Sequence, residues 1–99
     1  MLFFILKNEV GVSMPIISAF YGILIKMFFD DHAPPHFHVE YAEFKAVIDI
    51  KKLELIEGSL PRRAQELALD WAELHQAELL EDWDLCAARQ QPKKILPLK

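Results

Sequence analysis

The chain has a single cysteine, no internal repeat, no low-complexity tract and no apolar run long enough to cross a bilayer. Each absence removes a class of protein. One thiol, Cys86, cannot form an internal disulfide and cannot build a zinc site from several thiolates, so the fold must hold by packing alone. A reducing cytoplasm fits that usage. The apolar start Met1 to Leu6 has no basic residue ahead of it and is cut off by Lys7-Asn8-Glu9, so neither a membrane helix nor a signal peptide is expected. Positive charge is also scarce. The formal net charge is −4, with a strongly acidic segment from Arg62 to Gln91 followed by a lysine-rich end, which disfavours broad nucleic-acid affinity. No membrane and no DNA partner is expected.

What is present is enough for one domain: 99 residues, 53% apolar and 26% charged. Residues 1–13 read as an N-terminal extension, and Met14-Pro15 opens a denser pattern that makes 14–99 the domain. Ile16 to Phe20 and Ile23 to Phe29 read as two strands, or as one strand bent at Gly22. By the two-residue strand period, Ile23, Ile25, Met27 and Phe29 share one face, and Leu24, Lys26, Phe28 and Asp30 the other. His36 to Tyr41 sets Phe37, Val39 and Tyr41 against His36, His38 and Glu40. After Ala42-Glu43, Phe44 to Ile50 sets Phe44, Ala46, Ile48 and Ile50 against Lys45, Val47 and Asp49. Short links between such runs imply an antiparallel meander with one apolar face. A further short strand could lie between Lys51 and Gly58.

Ser59 as cap and Pro61 in the first turn announce a helix that runs to about Gln90. Its apolar stripe is Leu67, Ala68, Trp71, His75, Leu79, Trp83 and Cys86, and either a kink near Leu80-Glu81 or a division into two helices is expected. The expected class is therefore α+β: a meander of three to five strands covered on one face by a long C-terminal amphipathic helix. Lys93 to Leu98 would add an edge strand or lie along the surface.

The stretch from Asp30 to Val39 holds three of the four histidines and two carboxylates. Asp-Asp and Pro-Pro already satisfy a turn, so the imidazoles are surplus to it. Three readings follow. In the first, His36 and His38 project together and share a divalent transition metal, with His32, Asp30 or Asp31 completing the ligands. In the second, His32, His36 and His38 carry out metal-free acid–base catalysis on RNA, with Lys26, Lys45 or an anion site at Arg62-Arg63 steadying the phosphate. In the third, the histidines are only a polar sheet face, His38 pairing with Asp49 or Glu40, and the arginines pair with Glu57 or Glu66. Trp71, Trp83, His75 and Cys86 are read as core.

Met14-Pro15-Ile16, Phe20-Tyr21-Gly22-Ile23, the segment Asp30 to Val39, Leu60-Pro61-Arg62-Arg63 and Trp71 to His75 together resemble a bacterial family, domain of unknown function 4160. The resemblance covers Met14 to about Leu98 and carries no accepted catalytic residues. It implies a component of a two-gene, toxin–antitoxin-like module with a small protein partner encoded nearby. The expected function is a cytoplasmic toxin-like protein acting through the histidine-rich hairpin, by RNA cleavage or metal-dependent chemistry. The alternative is a non-catalytic module that binds its neighbour, with a sheet edge near Ile16 or Ile95 open to strand addition.

Overall fold

The computed structural model describes residues 15–99. The expected extension, 1–13, and the start at Met14 lie outside them. Five strands follow in order: β1 (Ile16–Phe20), β2 (Ile23–Lys26), β3 (His36–Tyr41), β4 (Phe44–Asp49) and β5 (Glu54–Gly58). Each pairs antiparallel with the next, giving one meander sheet ordered β1-β2-β3-β4-β5. Gly22 separates two strands and does not bend one. Phe20 pairs with Ile23, and Tyr21 and Gly22 both take positive φ, as a tight two-residue hairpin turn demands.

The alternation sorts the sheet as the sequence implies. Ile23, Ile25, Phe37, Val39, Ala46 and Ile48 are buried on one face. Trp71 packs on them, its ring 5.9 Å from that of Phe37 and 5.5 Å from that of Phe20. The fold is thus α+β, with the helical layer on the apolar face of the sheet.

The helical region departs from expectation in two ways. It divides into α1 (Arg62–Leu74) and α2 (Gln76–Ala87), one of the two expected forms, but with the break at His75 rather than near Leu80-Glu81. Gln76 explains the place, since its Nε2 donates to the carbonyls of Ile50 and Lys51 and ties the junction to the end of β4. Ser59 is also not the cap: Pro61 occupies that position, and no side chain caps α1.

The C-terminal tail runs beside β1 without becoming a strand. Ile95 N–H donates to the Ile17 carbonyl at 2.8 Å, Lys94 Nζ to Ile16 O, and Trp71 Nε1 to Leu96 O. The β1 edge is therefore partly occupied. Among the described residues, β5 is the edge that carries no further chain.

Two local features shape the opposite face. Asp49 Oδ1 accepts from the N–H groups of Lys51 and Lys52 and so closes the turn into β5. In β5 the register slips, Val47 pairing with Glu57 but Ile48 with Leu55, so Ile56 is a bulge residue.

Candidate functional site

The β2–β3 loop carries Asp31, and its path is set from far away in the chain. Asp30 takes φ +55°, its N–H donates to the carbonyl of Cys86, and its carboxylate pairs with Arg89 beyond α2. Asp30 is thereby committed outward. Asp31 turns the other way, its Oδ1 accepting the N–H of His32 at 3.0 Å and its Oδ2 facing β3.

His36 and His38, two residues apart on β3, both meet that oxygen. His36 Nε2 lies 2.8 Å and His38 Nε2 3.1 Å from Asp31 Oδ2. The other ring nitrogen of His36, Nδ1, is 2.7 Å from the Pro34 carbonyl. A carbonyl only accepts, so Nδ1 carries a hydrogen and donates it. His38 is held differently: its ring stacks on Phe28, centroids 4.0 Å apart and planes 8° from parallel. The two imidazoles themselves sit edge to face, 5.1 Å between centroids.

The site is shielded on one side and open on the other. His36 is 8% exposed, which differs from the solvated sheet face its alternation suggests. Trp83 of α2 backs it. Burial pushes the Asp31 carboxyl up, but hydrogen bonds from His38 and His36, with the charge of His36 and the His32 N–H, outweigh it and hold the group below the ordinary carboxylate range.

An open groove of about 250 Å³ lies over the cluster, between Asp31, His36, His38, Phe28, Ile56 and Glu57. It adjoins a second groove of about 430 Å³ that shares His38, Phe28, Val47 and Glu57 and continues to Lys45 and Gly58.

Several expected members stand outside this convergence, although His32 lines the smaller groove. The side chain of His32 is 96% exposed, and its Nδ1 is 4.0 Å from the oxygen of Asp31 that faces away from β3. It takes no part in the convergence, because the loop uses its backbone and not its ring. Lys26 is paired with Glu40 at 3.0 Å. Lys45 lines the larger groove and has no ion pair among the described residues. Arg62 and Arg63 lie against Glu66 at 3.6 and 3.5 Å on an exposed surface of α1, one of the pairings the third reading names.

Neither pairing suggested for His38 forms, since Asp49 is used by its turn and Glu40 by Lys26. Cys86 is buried, and burial followed by the nearby Asp82 pushes its thiol up to about 11, which leaves it a small apolar core residue.

Phe28 and Glu57 line the groove but were not among the site residues named from the sequence. Phe28 was legible by alternation, being in phase with Lys26. Glu57 was not, because it reaches the site through pairing: Lys26, His38, Val47 and Glu57 form one cross-strand row, and the bulge at Ile56 sets the phase of its last member.

Chemically, two imidazoles and a carboxylate on one point can hold a divalent cation or relay a proton. Among the described residues no other group of histidine, cysteine and carboxylate side chains converges in this way. A family profile described as Domain of unknown function (DUF4160) matches residues 22–84, which spans β2 to α2 and includes every residue of the cluster. No curated protein and no solved structure matches the chain.

Proposed function

The chain belongs to the family of domain of unknown function 4160, and from that premise we propose that it is the toxin-like component of a bacterial two-gene module. In this reading it acts in the cytoplasm, cutting RNA at the Asp31–His36–His38 face until a small protein partner encoded nearby covers that face. One observation carries the proposal: His36 and His38 converge on a single carboxylate oxygen on the floor of an open groove.

Cleavage requires a 2′-hydroxyl to lose its proton as its oxygen bonds to phosphorus. The bond to the departing 5′-oxygen breaks as that oxygen gains a proton. The Asp31 cluster supplies the activating groups, and Lys45 supplies a cation for the phosphate at the other end of the grooves. With a net charge of −4, RNA affinity would come from this site and not from a general basic surface.

A non-catalytic role in partner binding draws on a separate observation. The β5 edge carries no further chain among the described residues, and its bulged Ile56 is 47% exposed, so a partner strand has a place to add.

The two readings separate on expression of the chain alone, with the neighbouring gene, and as the His36→Ala/His38→Ala double variant. The proposal expects growth arrest and fragmented RNA from the wild type alone, and neither in the other two cases. No growth effect, with partner binding unchanged in the double variant, would remove the RNA-cleaving reading and leave the β5 edge as the working surface.

A further inference from the structure

We propose that Asp31, His36 and His38 hold one divalent transition-metal ion, with at least one coordination position open to the groove. This specifies the cofactor of the site on which the toxin-like reading rests, and it stands or falls on separate measurements.

The argument starts from the hydrogen on His36. Its Nδ1 donates to the Pro34 carbonyl, so in a neutral ring Nε2 is a bare lone pair. That lone pair lies 2.8 Å from a carboxylate oxygen, itself an acceptor. Two acceptors at this separation need a cation between them, either a second proton on the ring or a metal. A proton would bridge one nitrogen and one oxygen. His38 Nε2, at 3.1 Å from the same oxygen, then needs a hydrogen of its own to donate there. A metal accounts for all three atoms at once, since the ligating atoms of the three residues all lie within 4.8 Å of one another.

In tetrahedral coordination with bonds of about 2.0–2.2 Å, ligand atoms sit roughly 3.3–3.6 Å apart, so small adjustments of the carboxylate and the rings open the centre.

The supporting contacts are those that metal ligands have. Ligating histidines usually donate their second ring nitrogen to a backbone carbonyl or a carboxylate, which holds the ring and its tautomer. Pro34 does this for His36. The His32 N–H holds Asp31 Oδ1, aiming Oδ2 inward. The stacked Phe28 ring fixes the plane of His38.

Two imidazole nitrogens and one carboxylate oxygen suit zinc, iron(II), cobalt or manganese and not magnesium, which prefers oxygen ligands and keeps its waters. Three protein ligands beside a groove are also the pattern of a reactive centre, because a purely structural zinc is closed by a fourth ligand. The groove beside the three ligands is also lined by Ile56 and Glu57. A water or substrate oxygen bound at the open position would be the group that the metal activates.

The test uses tag-free protein dialysed against a chelator and titrated with cobalt(II) chloride, read by its visible ligand-field bands, with zinc(II) chloride as competitor. One equivalent of cobalt should bind and be displaced by zinc. Asp31→Asn, His36→Gln and His38→Gln should each weaken binding by at least ~100-fold, more than loss of a supporting contact would. His32→Ala should leave it unchanged. Circular dichroism checks each variant's fold. Should His36→Gln unfold, Asp31→Asn and His38→Gln decide.

Binding of less than one equivalent, or binding that survives Asp31→Asn and His38→Gln, would overturn the inference. Metal bound as described without any growth effect sinks the toxin-like reading alone. RNA cleavage by chelator-stripped protein in metal-free buffer sinks the metal alone.

Discussion

The imidazole of His36 and the indole of Trp83 meet at 5.1 Å between ring centroids, inclined by 53°. A residue of α2 therefore backs a histidine of the candidate site, although the two are 47 positions apart in sequence. Stability and site geometry are coupled through that contact.

Trp83→Ala removes the backing of His36 and leaves a partly filled space. Truncation of a well-buried tryptophan costs about 3–5 kcal/mol, and Trp83 is only half-buried, so a loss of about 2 kcal/mol is expected. Cobalt affinity should fall by roughly tenfold, as for loss of a supporting contact. Urea denaturation and the cobalt titration measure the two effects. Unchanged affinity would mean that Pro34 and Asp31 alone position the ring.

Asp31 is held below the ordinary carboxylate value because hydrogen bonds from His38 and His36 outweigh the opposing effect of burial. A group depressed in the folded state contributes stability above its unfolded value of 3.8, and that stability is lost as the pH falls through the lower folded value. In metal-free protein, denaturation midpoints should therefore drop from about pH 5 downward. Asp31→Asn should flatten this limb. An acid limb equally steep in the variant would place the dependence on another group.

Asp82 behaves in the opposite sense. It is 1% exposed on α2, its Oδ1 accepts the Lys93 N–H at 2.8 Å, and its Oδ2 has no partner among the described residues. Burial raises its carboxyl, the Lys93 N–H opposes that, and Glu81 and Glu78 add to the rise. A raised acid is penalised when ionised, so the folded state loses stability as pH rises through the ordinary carboxylate range. Asp82→Asn keeps the bond to Lys93 and cannot ionise. It should be more stable than wild type at pH 7 and nearly equal at pH 3 in thermal denaturation. A variant less stable than wild type at neutral pH would show that the charge is compensated.

Gly58→Ala should be severe. Gly58 takes φ +77°, and an added Cβ would lie 2.1 Å from the carbonyl oxygen of Lys45. The backbone must move, at a cost of more than about 2 kcal/mol in denaturant unfolding. Gly22→Ala is a control, since it shares the positive φ but, among the described residues, its Cβ would meet only Tyr41 side-chain atoms, the nearest at 3.5 Å. Equal losses for the two would assign the whole effect to φ and none to the contact.

The sequence alone determined the faces. Alternation in β2, β3 and β4 placed Ile25, Phe37, Val39 and Ile48 in the core and His38 opposite, because side-chain direction in a strand follows from position and needs no distant information. The helical stripe likewise identified Trp71, Leu79 and Cys86 as buried.

Tertiary structure decided which acid joins the histidines. Asp30 and Asp31 are equivalent in sequence, and the choice falls to Cys86 O and Arg89, which draw Asp30 outward from the far end of the chain. It also decided that His36 is covered, by Trp83, and that Glu57 reaches the groove, through a one-residue slip against β4. The same holds for the helix break at His75, where Gln76 binds the carbonyl of Ile50. These depend on which distant groups compete for a given donor or surface, and a local periodicity carries no record of that competition.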